Sequence, residues 1–76
     1  MERIVEILEE IQPGVDYETC ENLIDGGVLD SLSIINIVAE LEDTFDIVIP
    51  TVEIIPENFN SAKLLWEMVR RLQEDG

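Results

Sequence analysis

Apolar residues recur along this chain at intervals of three and four, the spacing of helices with one buried face. In "ERIVEILEEI", Ile4, Ile7, Leu8 and Ile11 are separated by Glu2, Glu6, Glu9 and Glu10. The pattern predicts an amphipathic helix closed by Pro13-Gly14. A second stretch runs from Asp30 to about Phe45, where Ile34, Ile37, Val38, Leu41 and Phe45 share a core-facing side while Leu32, Ile35 and Ala39 lie round the side of it. A third runs from Ser61 to about Gln73 through Leu64, Leu65, Met68, Val69 and Leu72. Asn60 or Ser61 is its cap, and Arg70 and Arg71 suit the dipole near its end.

Residues 12 to about 29 form a long connector containing Tyr17, Leu23 and Ile24 and ending in Gly26-Gly27. Loops of this length are functional or disordered, and Leu23-Ile24 predicts an ordered one. "DIVIP" has the β-branched content of a strand but stands isolated, and reads as a loop. Thr51 to Ile55 reads as a short helical turn capped by Thr51, with Pro56 breaking the chain after it. The sum is all-α: a bundle of three main helices plus one short helix with a long first loop, in a single domain spanning 1–76.

Composition narrows the function classes. A chain of 76 residues leaves little room for a large internal active-site cavity, although 46% hydrophobic content suffices for a packed core. Eighteen acidic residues against four basic ones give a net charge of −14. That charge repels nucleic acid and anionic membranes, attracts proteins with basic patches, and disfavours self-association, so a monomer is expected. One cysteine, Cys20, and no histidine exclude an internal disulfide and, in practice, a zinc site. The acids of "LEDTFD" and "DIVIP" lack EF-hand spacing, so no metal site is expected. No apolar run approaches the roughly 20 residues of a membrane span, and "MERIVEILEE" lacks the basic start and continuous apolar stretch of a signal peptide. A cytoplasmic location is expected.

The candidate chemistry lies in "GGVLDSLSIINI", residues 26 to 37, where Ser31 stands at the start of the second helix. Without histidine, and with Asp30 as the only adjacent base, no catalytic residue is expected. Two readings of Ser31 stay open on the residues alone. With Asp30 it starts a helix, one side chain accepting from first-turn N–H groups, although neither Ser33 nor Ile34 completes a capping box. Alternatively its hydroxyl is covalently modified, a phosphodiester there lying at the positive end of the helix dipole. The same helix carries more large apolar residues than one buried face needs. Glu40, Glu42, Asp43 and Asp46 at its far end oppose the dipole, so local stability does not explain them.

"GGVLDSLSIINIVAELEDTFDIVIP" resembles the core of an acyl carrier protein: a Gly-containing approach, Asp-Ser-Leu opening the second helix, an apolar-acidic helix ending in Phe, then Ile-Pro. Length, helix order, long first loop and acidic balance extend the likeness over nearly the whole chain. The resemblance implies that Ser31 carries 4′-phosphopantetheine, transferred from coenzyme A by a phosphopantetheinyl transferase, with Asp30 and Leu32 flanking it. It implies a carrier without intrinsic catalysis that holds acyl or aminoacyl groups as thioesters, as in fatty acid biosynthesis and lipid metabolism. Its partners are then a loading ligase and downstream acyl-transfer enzymes with basic patches, meeting Ile35 and Ala39 as apolar contacts and Glu42 and Asp43 as ion-pairing acids. Core packing and a solvated face are the plainer readings of those residues.

Departures from the fatty-acid carriers are visible. Ser33 and Asn36 stand where those carriers usually have acids, and "IPTVEIIPENFNSAKLLWEMVRRL" looks more like D-alanyl carriers of teichoic acid modification or stand-alone peptidyl carriers. Leu32, in turn, stands where D-alanyl carriers usually have Phe or Met. A non-covalent acidic interaction module, in which Ser31 is only a cap, is the competing hypothesis. A fatty cargo needs an apolar slot between the second and third helices, for which Ile49, Val52, Ile54, Ile55, Phe59 and Trp66 are candidates, though plain core is their commoner role.

Overall fold

The three amphipathic stretches become three long helices in the computed structural model, which describes residues 2–75. Helix α1 spans Glu2–Ile11, α2 Ser31–Phe45, α3 Pro56–Phe59 and α4 Ala62–Asp75, with a 3₁₀ turn at Thr51–Glu53 ahead of α3. No strand occurs among the described residues, so "DIVIP" is a loop. Helix α1 packs on α2 and α4, α2 also meets α4, and α3 packs on α4. Their inward faces meet in one core: Ile4, Ile7, Leu8, Ile37, Leu41, Phe59, Leu65, Met68 and Val69 are each exposed by 2% or less. Phe45 and Trp66 pack as a tilted aromatic pair, centroids 6.2 Å apart, among the half-buried residues around that core.

The long connector is ordered. Gly14, at φ +87°, turns the chain after α1. Tyr17 is buried and turns its hydroxyl back to donate to the carbonyls of Leu8, at 3.3 Å, and Gln12, at the open C-terminal end of that helix. Burial pushes the Tyr17 phenol above its ordinary value, with Glu9 and Cys20 adding to the shift. Farther on, Leu23 and Leu29 are both buried, and the Leu29 N–H donates to the Leu23 carbonyl at 2.9 Å. Gly26 and Gly27 turn the chain between them. A Cβ at Gly26 would lie 2.7 Å from the Asn22 carbonyl oxygen, and Gly27 holds φ +75°.

The segment before α4 differs from the sequence expectation. The 3₁₀ turn ends at Glu53, and its cap position is Pro50, so Thr51 does not cap it. Pro56 opens α3 instead of breaking the chain, because at the first helical position its missing N–H is not needed and its fixed φ is already helical. The cap of α4 is Ser61, whose Oγ accepts the Leu64 N–H at 3.1 Å, and the helix continues to Asp75, placing Arg70 and Arg71 before its last turn. Arg71 donates to Glu53 at 2.9 Å, and Asn58 Nδ2 donates to the carbonyl and carboxylate of Glu53 at 2.8 and 3.0 Å. These bonds join the 3₁₀ turn, α3 and α4; the Arg71 bond holds the Glu53 carboxyl below the usual range.

Candidate functional site

The connector delivers Asp30 to the N-terminus of α2 with an extended backbone, φ −102° and ψ −178°. Its Oδ1 accepts the Ser33 N–H at 2.8 Å, and its carbonyl accepts the Ile34 N–H at 3.0 Å. Asp30 is therefore the cap, and Ser31 is the first residue of the helix. The Ser33 N–H, with the Ser33 hydroxyl assisting, holds the Asp30 carboxyl below its ordinary value. Ser31 is exposed, and its hydroxyl makes no hydrogen bond among the described residues. The capping role that sequence alone divides between two neighbours falls to Asp30.

Leu32 and Ile35, exposed by 66% and 63%, share with exposed Ala39 and Asp43 the side of α2 opposite Ile37 and Leu41. Glu42 departs from this stripe. It is half-buried, its carboxylate accepts the Ile49 N–H at 2.8 Å, and its carbonyl accepts the N–H of Asp46. Asp46 sits in the left-handed region at φ 53°, which a short polar side chain tolerates at a helix end. Glu42 thus shapes the exit from α2, which accounts for one of the acids opposing the dipole; Glu40 and Asp43 remain exposed.

Next to this helix, Ile24, Ile34, Ile54, Ile55, Pro56 and Phe59 line an apolar hollow of about 140 Å³. Of the six residues the sequence pattern suggests for such a slot, Ile54, Ile55 and Phe59 are there. Ile49 belongs to the core, Val52 is 78% exposed, and Trp66 packs against Phe45. Ile24 and Pro56 escape sequence reasoning because they lie in a connector and at a proline, outside any periodic stretch. No group of three or more His, Cys, Asp or Glu among the described residues is placed to hold a metal ion. No helix there is long and apolar enough to cross a membrane.

Residues 2–69 match the family described as "Phosphopantetheine attachment site". The chain belongs to this carrier family. A D-alanyl carrier protein of Streptococcus sanguinis is 37% identical to it over 71 residues, covering 92% of this chain and 90% of that relative. One from Lactobacillus delbrueckii subsp. bulgaricus is 32% identical over 75 residues, covering 96% and 92%. One from Streptococcus uberis is 42% identical over 53 residues, covering 70% and 67%. No solved structure matches significantly.

Carriers of this family hold 4′-phosphopantetheine covalently and work with a phosphopantetheinyl transferase and a loading ligase. The start of α2 fits such a group. A phosphodiester requires an accessible hydroxyl and some offset for its charge. Ser31 offers the first, and the positive end of the dipole of a 15-residue helix offers the second. The cap runs from Asp30 to Ser33 and does not use the neighbouring hydroxyl.

Proposed function

We propose that Ser31 bears the 4′-phosphopantetheine arm and that the carrier delivers D-alanyl groups to partner enzymes. The observation that carries the first half is the division of labour at α2: Asp30 caps the helix, and the Ser31 hydroxyl is left exposed without a structural bond. The other serines are otherwise engaged, Ser33 half-buried and facing Asp30, Ser61 buried and capping α4. The cargo rests on the D-alanyl carriers that this chain resembles at 32 to 37% identity over most of its length; they lend nothing to a role in fatty acid biosynthesis. When attached, the arm supplies a terminal thiol that holds the cargo as a thioester. The chain's own residues present that arm and perform no catalysis: Asp30 fixes the helix end, while Leu32, Ile35 and Ala39 offer an apolar surface to each partner. Asp43, with a smaller share from the inward-bonded Glu42, steers basic rims toward it. The setting is cytoplasmic.

Co-expression with a phosphopantetheinyl transferase, followed by mass spectrometry, tests the attachment: wild type gains the arm and Ser31→Ala does not. Equal labelling of the two proteins would overturn it. A D-alanine-activating ligase should then load the modified carrier in the presence of ATP, and failure to load would remove the D-alanyl cargo.

The apolar hollow favours a second reading of the cargo, a short acyl chain. Its roughly 140 Å³ gives room for an acyl chain of a few carbons. Methyl signals of Ile24, Ile54 and Ile55 shift on loading with butyrate under this reading, and stay in place with D-alanine.

A further inference from the structure

At the end of α3, Asn60 faces the connector that leads to Ser31. Its Oδ1 accepts the backbone N–H groups of Ile24 at 3.0 Å and Asp25 at 3.1 Å, and its Nδ2 donates to Asp25 Oδ2 at 3.1 Å. Its main-chain carbonyl accepts the Leu23 N–H at 2.9 Å. One residue therefore takes three consecutive amides of the connector. Asn60 is itself held on both sides: its N–H donates to the Pro56 carbonyl at 3.0 Å, Phe59 before it is buried, and Ser61 after it caps α4.

From those amides the connector is bonded to itself as far as α2. The Gly26 N–H donates to the Asn22 carbonyl at 2.6 Å, Gly27 to Ile24 at 3.0 Å, and Leu29 to Leu23 at 2.9 Å. Leu29 is buried, and the next residue is the cap, Asp30. One residue, its carboxamide on Ile24 and Asp25 and its main-chain carbonyl on Leu23, thus ties the strap from 23 to 29 against the α3–α4 junction, and the strap leads into the start of α2.

We propose that Asn60 is a positioning residue for attachment of the arm, a latch that keeps Ser31 and its Leu32–Ile35 surroundings in the shape the phosphopantetheinyl transferase meets. The proposal rests on the reading of Ser31 as the attachment point. Carboxamide chemistry suits the task because one atom must accept from two amides while the other donates to a carboxylate. A carboxylate at position 60 would accept from both amides but face Asp25 with like charge. Alanine would do neither. Much of the network is exposed, so its loss leaves the core intact while dispersing the strap over several conformers. That lowers the fraction of carrier ready to bind and appears in KM more than in kcat.

The test compares full-length wild type, Asn60→Ala, Asn60→Asp and the exchange Asn60→Asp/Asp25→Asn as substrates of the transferase with coenzyme A, at a temperature where circular dichroism shows each folded. Both single variants should raise KM for the carrier by about tenfold, the size of one or two net hydrogen bonds, with kcat within about twofold. The exchange restores the bonding pattern with the carboxylate and carboxamide swapped, and should return KM to within about twofold of wild type. Folded single variants with wild-type KM, or an exchange as impaired as Asn60→Asp, would overturn the latch. Ser31→Ala is the control that separates the two readings. Uptake of the arm by that variant at the wild-type rate removes the Ser31 assignment and the latch together, whereas normal KM in Asn60 variants of a carrier modified at Ser31 removes the latch alone.

Discussion

A helix start needs one side-chain acceptor, and at α2 Asp30 provides it, so alanine at positions 30 and 31 has different consequences. On the proposed assignment, Ser31→Ala should abolish arm attachment, read by mass spectrometry, and change folding stability by less than about 0.5 kcal/mol, the usual range for a surface change away from structural bonds. Asp30→Ala, by losing the cap, lowers the melting temperature by several degrees. That gap depends on pH in a defined direction. The folded-state Asp30 carboxyl is depressed, chiefly by the Ser33 N–H, so its contribution is complete above the unfolded carboxylate range and fades as pH falls through the folded one. Melting curves from pH 7 down to about 3 should show the wild-type and Asp30→Ala proteins converging. At Tyr17, replacement by Phe removes the donor to Leu8 and Gln12 and costs about 1 to 2 kcal/mol in denaturant titration. The Tyr17 phenol is raised, so its contribution is full below about pH 10 and declines above it, where Tyr17→Phe and wild type draw together. Which of Asp30 and Ser31 caps the helix was not legible in the sequence, because both residue types suit that position and only the backbone register separates them.

Periodicity made the three long helices legible, together with most of their buried faces, since burial on one side of a helix leaves its mark every third or fourth residue. The exposure of Leu32, Ile35 and Ala39 follows from the same count, because Ile37 and Leu41 already take the core side. Residues 51–59 were less legible. Proline stops a helix or opens one, and the dipeptide Ile55-Pro56 is compatible with both. The connector was legible as ordered through its apolar residues, but its fastenings, from Tyr17 back to the end of α1 and from Asn60 across to Ile24 and Asp25, follow no periodic pattern. Gly26 gives a test of that ordering. Alanine there puts a methyl against the Asn22 carbonyl, so the strap must shift, lowering the melting temperature and slowing arm transfer together. If Gly26→Ala melts as wild type does, the close approach is absent in solution.

Across the whole molecule, a Cα radius of gyration of 11.2 Å confines a chain of net charge −14. Self-repulsion on that scale opposes folding, so raising sodium chloride from about 20 to 500 mM should raise the melting temperature as the screening length shortens. A transition indifferent to salt would contradict a limiting role for repulsion. Charge and length were fully legible beforehand, and so was the class of function; the apolar hollow was legible only in part, because its walls come from three separate stretches of chain. The bonds from Asn60 to Ile24 and Asp25 also span 36 and 35 positions, so they carry a kinetic signature. Contacts this distant in sequence close late, after the local turns of helix have formed. Asn60 variants should therefore steepen the loss of the native state by speeding unfolding while leaving the refolding limb of the chevron almost unchanged, and the amides of residues 23–25 should exchange with solvent through partial openings that leave α1, α2 and α4 protected.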